Sequence, residues 1–159
     1  MRILIISDTH RQNDNYLNLL KRFRKLDMII HCGDVVGSEY TISEAADCPV
    51  IIVSGNNDYF SQLPREREFC LGNYKVWVTH GHNYYVTMGT EFIKQEARAR
   101  EVQVVICGHT HRPGLEIEED LVYVNPGSLS YPRQDGHKPS YALMEIDSAG
   151  TAHYSIGYL

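Results

Sequence analysis

Ile3-Leu4-Ile5-Ile6-Ser7-Asp8-Thr9-His10 runs from a short apolar segment straight into polar, metal-competent side chains. The apolar part is rich in β-branched residues and too short for a helix, which suits a strand covered on both faces. The same junction recurs four more times. Residues 28–32 lead into Gly33-Asp34, and residues 50–54 into Gly55-Asn56-Asn57-Asp58. Residues 75–79 lead into His80-Gly81-His82, and residues 102–107 into Gly108-His109-Thr110-His111. Ligands of α/β sheets bind outside the carboxyl ends of strands. Five converging ends would gather two Asp, one or two Asn and four or five His in one crevice.

The segments between these strands read as helices. Tyr16, Leu19, Leu20, Phe23 and Leu26 share one helical face, with Asn13 or Asp14 as a cap. Residues 38–47 form a shorter helix stopped before Pro49, and residues 89–100 a third, marked by Phe92, Ile93 and Ala97. After Gly114 the period changes. Residues 115–118, 121–124, 140–147 and 152–158 read as antiparallel strands, with turns at Glu119-Asp120 and residues 148–150. The expectation is an α/β fold with mixed sheets, parallel early and antiparallel late.

A chain of 159 residues is the usual size of one domain, spanning 1–159. With 43% hydrophobic and 22% charged residues it can bury a real core, which excludes a disordered or fibrous chain. No apolar run approaches the roughly 20 residues of a membrane span. Residues 1–6 are too short an apolar stretch for a signal peptide, so the cytoplasm is the expected compartment. The net charge of −5 speaks against a broad surface for long nucleic acid, whose phosphates are held mainly by Lys and Arg. A small phosphate held through metal stays open. The four cysteines have no paired spacing, and Cys32 and Cys107, closing apolar runs, read as buried thiols.

Asp8-x-His10 and His109-x-His111 each offer two ligands from one loop. A nitrogen and oxygen donor set suits Mn, Fe, Zn or Ni better than Mg or Ca. Seven ligands exceed a four-coordinate structural site, so two ions sharing a carboxylate fit better. Two divalent ions against two aspartates leave a positive site that attracts a phosphate anion.

In order and spacing, Asp8-x-His10, Gly33-Asp34, Gly55-Asn56, His80-Gly81-His82 and Gly108-His109-x-His111 resemble the five motif blocks of the calcineurin-like metallophosphoesterases. The compact length and Asn125-Pro126-Gly127-Ser128 are similar to the small YfcE-type phosphodiesterase branch. The resemblance implies a four-layer αββα sandwich of two mixed sheets flanked by helices. It assigns Asp8, His10 and His111 to a first metal, Asn56, His80 and His109 to a second, and Asp34 to both. The cofactors it implies are two divalent transition-metal ions, Mn foremost, with Ni, Fe or Zn as alternatives. It implies attack on phosphorus by a metal-bridging hydroxide.

One position departs from the family. Many members carry a His directly after the ligand Asn, as general acid for the leaving group. Here Asn57 stands there and cannot give up a proton in that way. This shifts the expected substrate toward small phosphodiesters or activated leaving groups. Asn57 and His82 remain as catalytic candidates that support the ligands. The competing reading is a non-catalytic scaffold of the same fold that binds a protein partner, as a retromer subunit resembling this family does. All seven ligand positions carry competent side chains, which favours the enzyme. The tail, residues 154–158, is an edge-strand candidate for a homodimer or higher homo-oligomer. His31 reads as packed and hydrogen-bonded, His137 and His153 as surface residues. Lys21, Arg22, Arg24 and Lys25 read as the wet face of the first helix.

Overall fold

The computed structural model describes residues 1–23 and 25–159. Strand β1 (Arg2–Ile6) explains why its apolar run is continuous. Ile3 and Ile5 enter one buried cluster and Leu4 and Ile6 another, so both faces are covered. The strand pairs in parallel with β2 (Met28–His31), which pairs in parallel with β3 (Val50–Ile52). On its other side β1 pairs antiparallel with β9 (Ser140–Ile146), which carries β10 (Ala152–Tyr158) at the sheet edge.

The second sheet holds β4 (Glu66–Leu71), β5 (Tyr74–Thr79), β6 (Val104–Ile106), β8 (Val122–Pro126) and β7 (Pro113–Ile117), in that spatial order. β5, β6 and β8 are mutually parallel, while β4 and β7 close the two edges antiparallel. Ile3, Ile5 and Ile30 of the first sheet meet Val76, Val78, Val104 and Ile106 of the second in the central core. Each such side chain, fully buried, contributes about 1.5–3 kcal/mol.

The outer face of the first sheet packs Leu4, Ile6 and Ile29 against Tyr16 and Leu19 of α1 (Asp14–Arg22) and Ile42 of α2 (Glu39–Glu44). Trp77, Val105 and Tyr123 on the second sheet pack against Ile93 and Ala97 of α3 (Glu91–Ala99). The four-layer αββα sandwich that the family resemblance implied is therefore present. Among the described residues, no helix is long and apolar enough to cross a membrane.

The local expectations need four corrections. Helix α1 stops at Arg22, because Phe23 turns extended (φ −97°, ψ 95°) to lead the chain into β2. Phe23 and Leu26 still join the core from outside the helix. Lys21, Arg22 and Lys25 are exposed as expected, and Arg24 lies outside the described residues. Helix α2 is confined to six residues. Strand β4 was not foreseen: Glu66-Arg67-Glu68 gives no apolar signal, since this edge strand buries Leu71 and only part of Phe69. The late strands are not uniformly antiparallel, because the β7–β8 hairpin lays β8 in parallel beside β6.

Candidate metal centre

Each of the five strand ends delivers side chains to the same rim. Asp8 follows β1, Asp34 follows β2, Asn56 follows β3, His80 follows β5, and His109 and His111 follow β6. The backbone there is bent unusually. Asp8 (φ 54°), His10 (43°), Asp34 (58°), His109 (69°) and His111 (58°) all adopt the left-handed region. For residues with a Cβ this costs of order 1–3 kcal/mol each and persists only where neighbours over-determine the loop. Asp8 N donates to Gly33 O at 3.1 Å and His10 N to Asp34 O at 3.0 Å. The hydroxyls of Ser128 and Ser130 both donate to Asp8 O, at 2.8 and 2.7 Å.

Two glycines let these loops close. A Cβ on Gly55 would lie 2.1 Å from Asp34 Oδ1 and 2.6 Å from Asp34 N. A Cβ on Gly108 would lie 2.0 Å from Ser7 Oγ and 2.9 Å from Asp8 Oδ2. The bare backbone at both places allows the two carboxylates to sit against the neighbouring loops.

Asp8 and Asp34 are almost fully buried and face a ring of imidazoles. Asp8 Oδ1 lies 3.1 Å from His111 Nε2 and 4.0 Å from His80 Nε2. Asp34 Oδ2 lies 3.7 Å from His10 Nε2 and 3.5 Å from His80 Nε2. Two groups thus bring their ligand atoms within 4.8 Å of one another: Asp8, His10 and His111, and Asp8, Asp34 and His80. Asn56 Oδ1 joins at 3.1 Å from His80 Nε2. The His109 ring stands 5.1 Å from that of His80, and its backbone N donates to Asp8 Oδ2. All seven ligand candidates therefore meet on one rim, with Asn56 beside His80 and His109 outside the two tight groups.

The imidazoles are pre-oriented. His80 Nδ1 is 2.7 Å from Cys32 O, and His111 Nδ1 is 2.7 Å from Tyr131 O. A ring N–H donated to a carbonyl leaves Nε2 to face the centre, the arrangement that fixes the tautomer of a metal-binding histidine. Burial and the neighbouring His80 push His109 down to about 4, so its imidazole is neutral at pH 7. Burial likewise holds His10 below its ordinary range. Burial opposes ionisation of Asp8, but His111, His80 and Ser7 together bring its carboxyl below the usual range. His111 moves the opposite way: burial is outweighed by the Asp8 carboxylate, which raises it.

The donor set fits divalent metal. Asp8 Oδ1 is buried and, among the described residues, accepts no well-aligned hydrogen bond, although imidazoles surround it. A buried carboxylate oxygen left in this state is costly unless a cation partners it. Neutral imidazoles, which are borderline donors, combined with hard carboxylate and amide oxygens make a mixed set suited to Mn, Fe, Ni or Zn.

The two remaining candidates occupy different places. Asn57 clamps Asp34, with its backbone N donating to Oδ1 at 2.8 Å and Nδ2 to Oδ2 at 2.6 Å. The His82 ring stands 5.3 Å from His80 and 5.9 Å from His109, with Nδ1 buried and without a partner. Asp58 ties the second and third loops together, accepting from Asp34 N, Gly55 N and Val36 N. Ser7, Ser130 and Tyr131 were missed by the sequence reading. Ser7 and Ser130 are common loop residues, and Tyr131 acts through its backbone carbonyl, which no residue type advertises.

His31 is packed and hydrogen-bonded as expected. Its Nδ1 accepts from Gly33 N at 3.2 Å, so Nε2 carries the proton toward Thr9 Oγ1 at 3.1 Å. Burial pushes it from 6.5 down to about 4. The unfolded chain therefore binds a proton here between these values and the folded chain does not, so stability rises with pH across that window. The contribution is complete above pH 6.5 and is lost as pH falls toward 4. Between pH 7 and 5 the loss is about 2 kcal/mol from this one group. Urea unfolding of metal-free wild type and His31→Gln at the two pH values checks this. Equal pH dependence in both proteins would contradict it.

Comparison with known proteins places the site in context. The calcineurin-like phosphoesterase superfamily domain matches residues 1–149. A probable metallophosphoesterase of Bacillus subtilis is 32% identical over 149 residues, covering 93% of this chain and 86% of its own. A phosphodiesterase of Methanocaldococcus jannaschii is 30% identical over 145 residues, covering 80% and 83%. Among solved structures, a Streptococcus pneumoniae protein described as a predicted phosphoesterase superposes with a TM-score of 0.82 at 27% identity, covering 99% of this chain and 88% of its own.

Proposed function

Since the chain belongs to the calcineurin-like phosphoesterase superfamily, we propose that it is a metal-dependent phosphodiesterase with a dinuclear centre. The reading takes residues 1–159 as one domain working in the cytoplasm on a small phosphodiester. The observation that carries it is the buried Asp8 Oδ1, short of a partner inside a ring of neutral or pre-oriented imidazoles.

Asp8, His10 and His111 would hold one ion, Asn56, His80 and His109 the other, and Asp34 both. When bound, two divalent ions supply Lewis acidity, lowering the pKa of water and drawing charge from the phosphoryl oxygens. The chain's own part is positional. Cys32 O and Tyr131 O hold His80 and His111 with Nε2 inward, and Asn57 fixes both oxygens of Asp34. Asn57 offers an amide N–H and no transferable proton. A leaving group that departs without protonation is therefore favoured, as in an activated diester. Loading also competes with protonation of the imidazole and carboxylate ligands, so metal affinity falls as pH falls.

The test is metal add-back. Protein stripped by chelator receives Mn, Ni, Zn or Mg separately, and hydrolysis of a chromogenic phosphodiester and its monoester is followed together with metal content. Near two ions per chain and Mn- or Ni-dependent diester turnover exceeding monoester turnover are expected. Metal uptake with no turnover would move the protein to the protein-binding scaffold reading. A chain that takes up no metal would overturn the ligand set.

A further inference from the structure

Residues 53–65 bring Asn56 and Asn57 to the centre and then follow its rim to β4. Two cavities flank this segment, and Asp58, Tyr59 and Ser61 line both. One, of about 350 Å³, is lined further by Asn56, Arg65, His82 and Asn83. The other, of about 280 Å³, is lined further by Arg11, Asn57 and Phe60. A phosphomonoester has one substituent on phosphorus and a diester two. Paired cavities on either side of the asparagines offer one place for each arm.

The larger cavity has a chemistry of its own. Arg65 is exposed and, among the described residues, has no hydrogen-bond or ion-pair partner. Arg11, Arg98 and Arg100 are engaged, Arg11 Nε with Val36 O and the other two in acidic networks, and of the arginines without a side-chain partner among the described residues Arg65 is the one that lines this cavity with Asn56 and His82. His82 Nδ1 is buried without a hydrogen-bond partner among the described residues. Arg65 and His82 line the same cavity. A guanidinium presents several N–H donors in a plane, which suits a phosphate or carboxylate. Asn83 and Ser61 add donors beyond those that two carboxylate oxygens would use. The set matches the three oxygens of a terminal phosphate better.

We propose that this cavity receives one arm of the diester and that Arg65 selects an arm bearing a second, terminal phosphate. The inference rests on the phosphodiesterase reading and names the substrate class for it. Asn56 links the two, since it lines the cavity while its Oδ1 faces His80.

The probes are a thymidine dinucleotide and its two forms phosphorylated at one or the other terminal hydroxyl. With metal-loaded wild type, one phosphorylated form should exceed the plain dinucleotide about tenfold in kcat/KM, mainly through KM. Arg65→Ala should erase that ratio, Arg65→Lys should keep part of it, and added salt should shrink it in wild type. A wild-type ratio near one, or a ratio that survives Arg65→Ala, overturns the inference while the phosphodiesterase reading stands. If no dinucleotide is cleaved, that reading fails for this class. Equilibrium binding of the three probes then decides the inference alone: Arg65-dependent preference for a phosphorylated form supports it, and equal binding sinks it.

Discussion

Asp34→Ala is expected to lower metal-dependent diester turnover by about three orders of magnitude. Asp34 Oδ2 is the carboxylate oxygen that faces both His10 Nε2 at 3.7 Å and His80 Nε2 at 3.5 Å. Asp8 belongs to both groups of ligand atoms as well, but its Oδ1 lies closer to His111, at 3.1 Å, than to His80, at 4.0 Å. Lewis-acid stabilisation of transition-state charge is worth several kcal/mol, and each 1.36 kcal/mol is about tenfold in rate. Loss of about 4 kcal/mol therefore gives about 10³. Turnover and metal content are measured together at saturating Mn. A variant within tenfold of wild type would remove Asp34 from the shared position.

Gly55→Ala should have the second-largest effect, with destabilisation of about 3 kcal/mol and loss of metal uptake. The new Cβ would meet Asp34 Oδ1 at 2.1 Å and Asp34 N at 2.6 Å. The carboxylate alone is free to swing away, but the backbone nitrogen is pinned by Asp58 Oδ2 at 2.8 Å. Relief must therefore come from parting the second and third loops, which also separates Asp34 from Asn57. Gly114→Ala is the control: its Cβ would be 3.4 Å from Tyr123 Cε1, ordinary contact, and should cost no more than about 0.5 kcal/mol. Urea unfolding of the metal-free proteins, with metal content read after reloading, gives both quantities. A Gly55→Ala protein as stable as the control and fully loaded would show that the close approach is dispensable.

Much of this was legible in residues because strands buried on both faces must be written as continuous apolar runs. Residues 3–6 and 104–106 are such runs, and the polar residue after each run had to lie at a sheet end. β4 was illegible for the converse reason: an edge strand with Glu66, Arg67 and Glu68 needs neither continuity nor alternation. The positions of the candidate ligands could be read, but not their support. Ser128 and Ser130 reach Asp8 O across more than a hundred residues of chain, and Tyr131 holds His111 through a carbonyl. Such contacts follow from topology, which came from the family resemblance and not from local pattern. The end of α1 was misjudged because apolar spacing continued through Phe23 and Leu26 after the hydrogen-bonded helix had stopped.

The left-handed backbone at Asp8, His10, Asp34, His109 and His111 carries a consequence for how such a chain drifts under mutation. At each of these positions glycine would relieve conformational strain, and asparagine is better tolerated there than most side chains. Relief of that strain offsets part of the hydrogen bonding lost with the side chain, so substitutions that erode the centre cost the fold less than their burial alone implies. Loss of the centre in a lineage of this architecture therefore meets less resistance from stability than loss of core residues would. Purifying selection on turnover is the force that opposes it, and a copy released from that selection would keep its sandwich long after losing its chemistry.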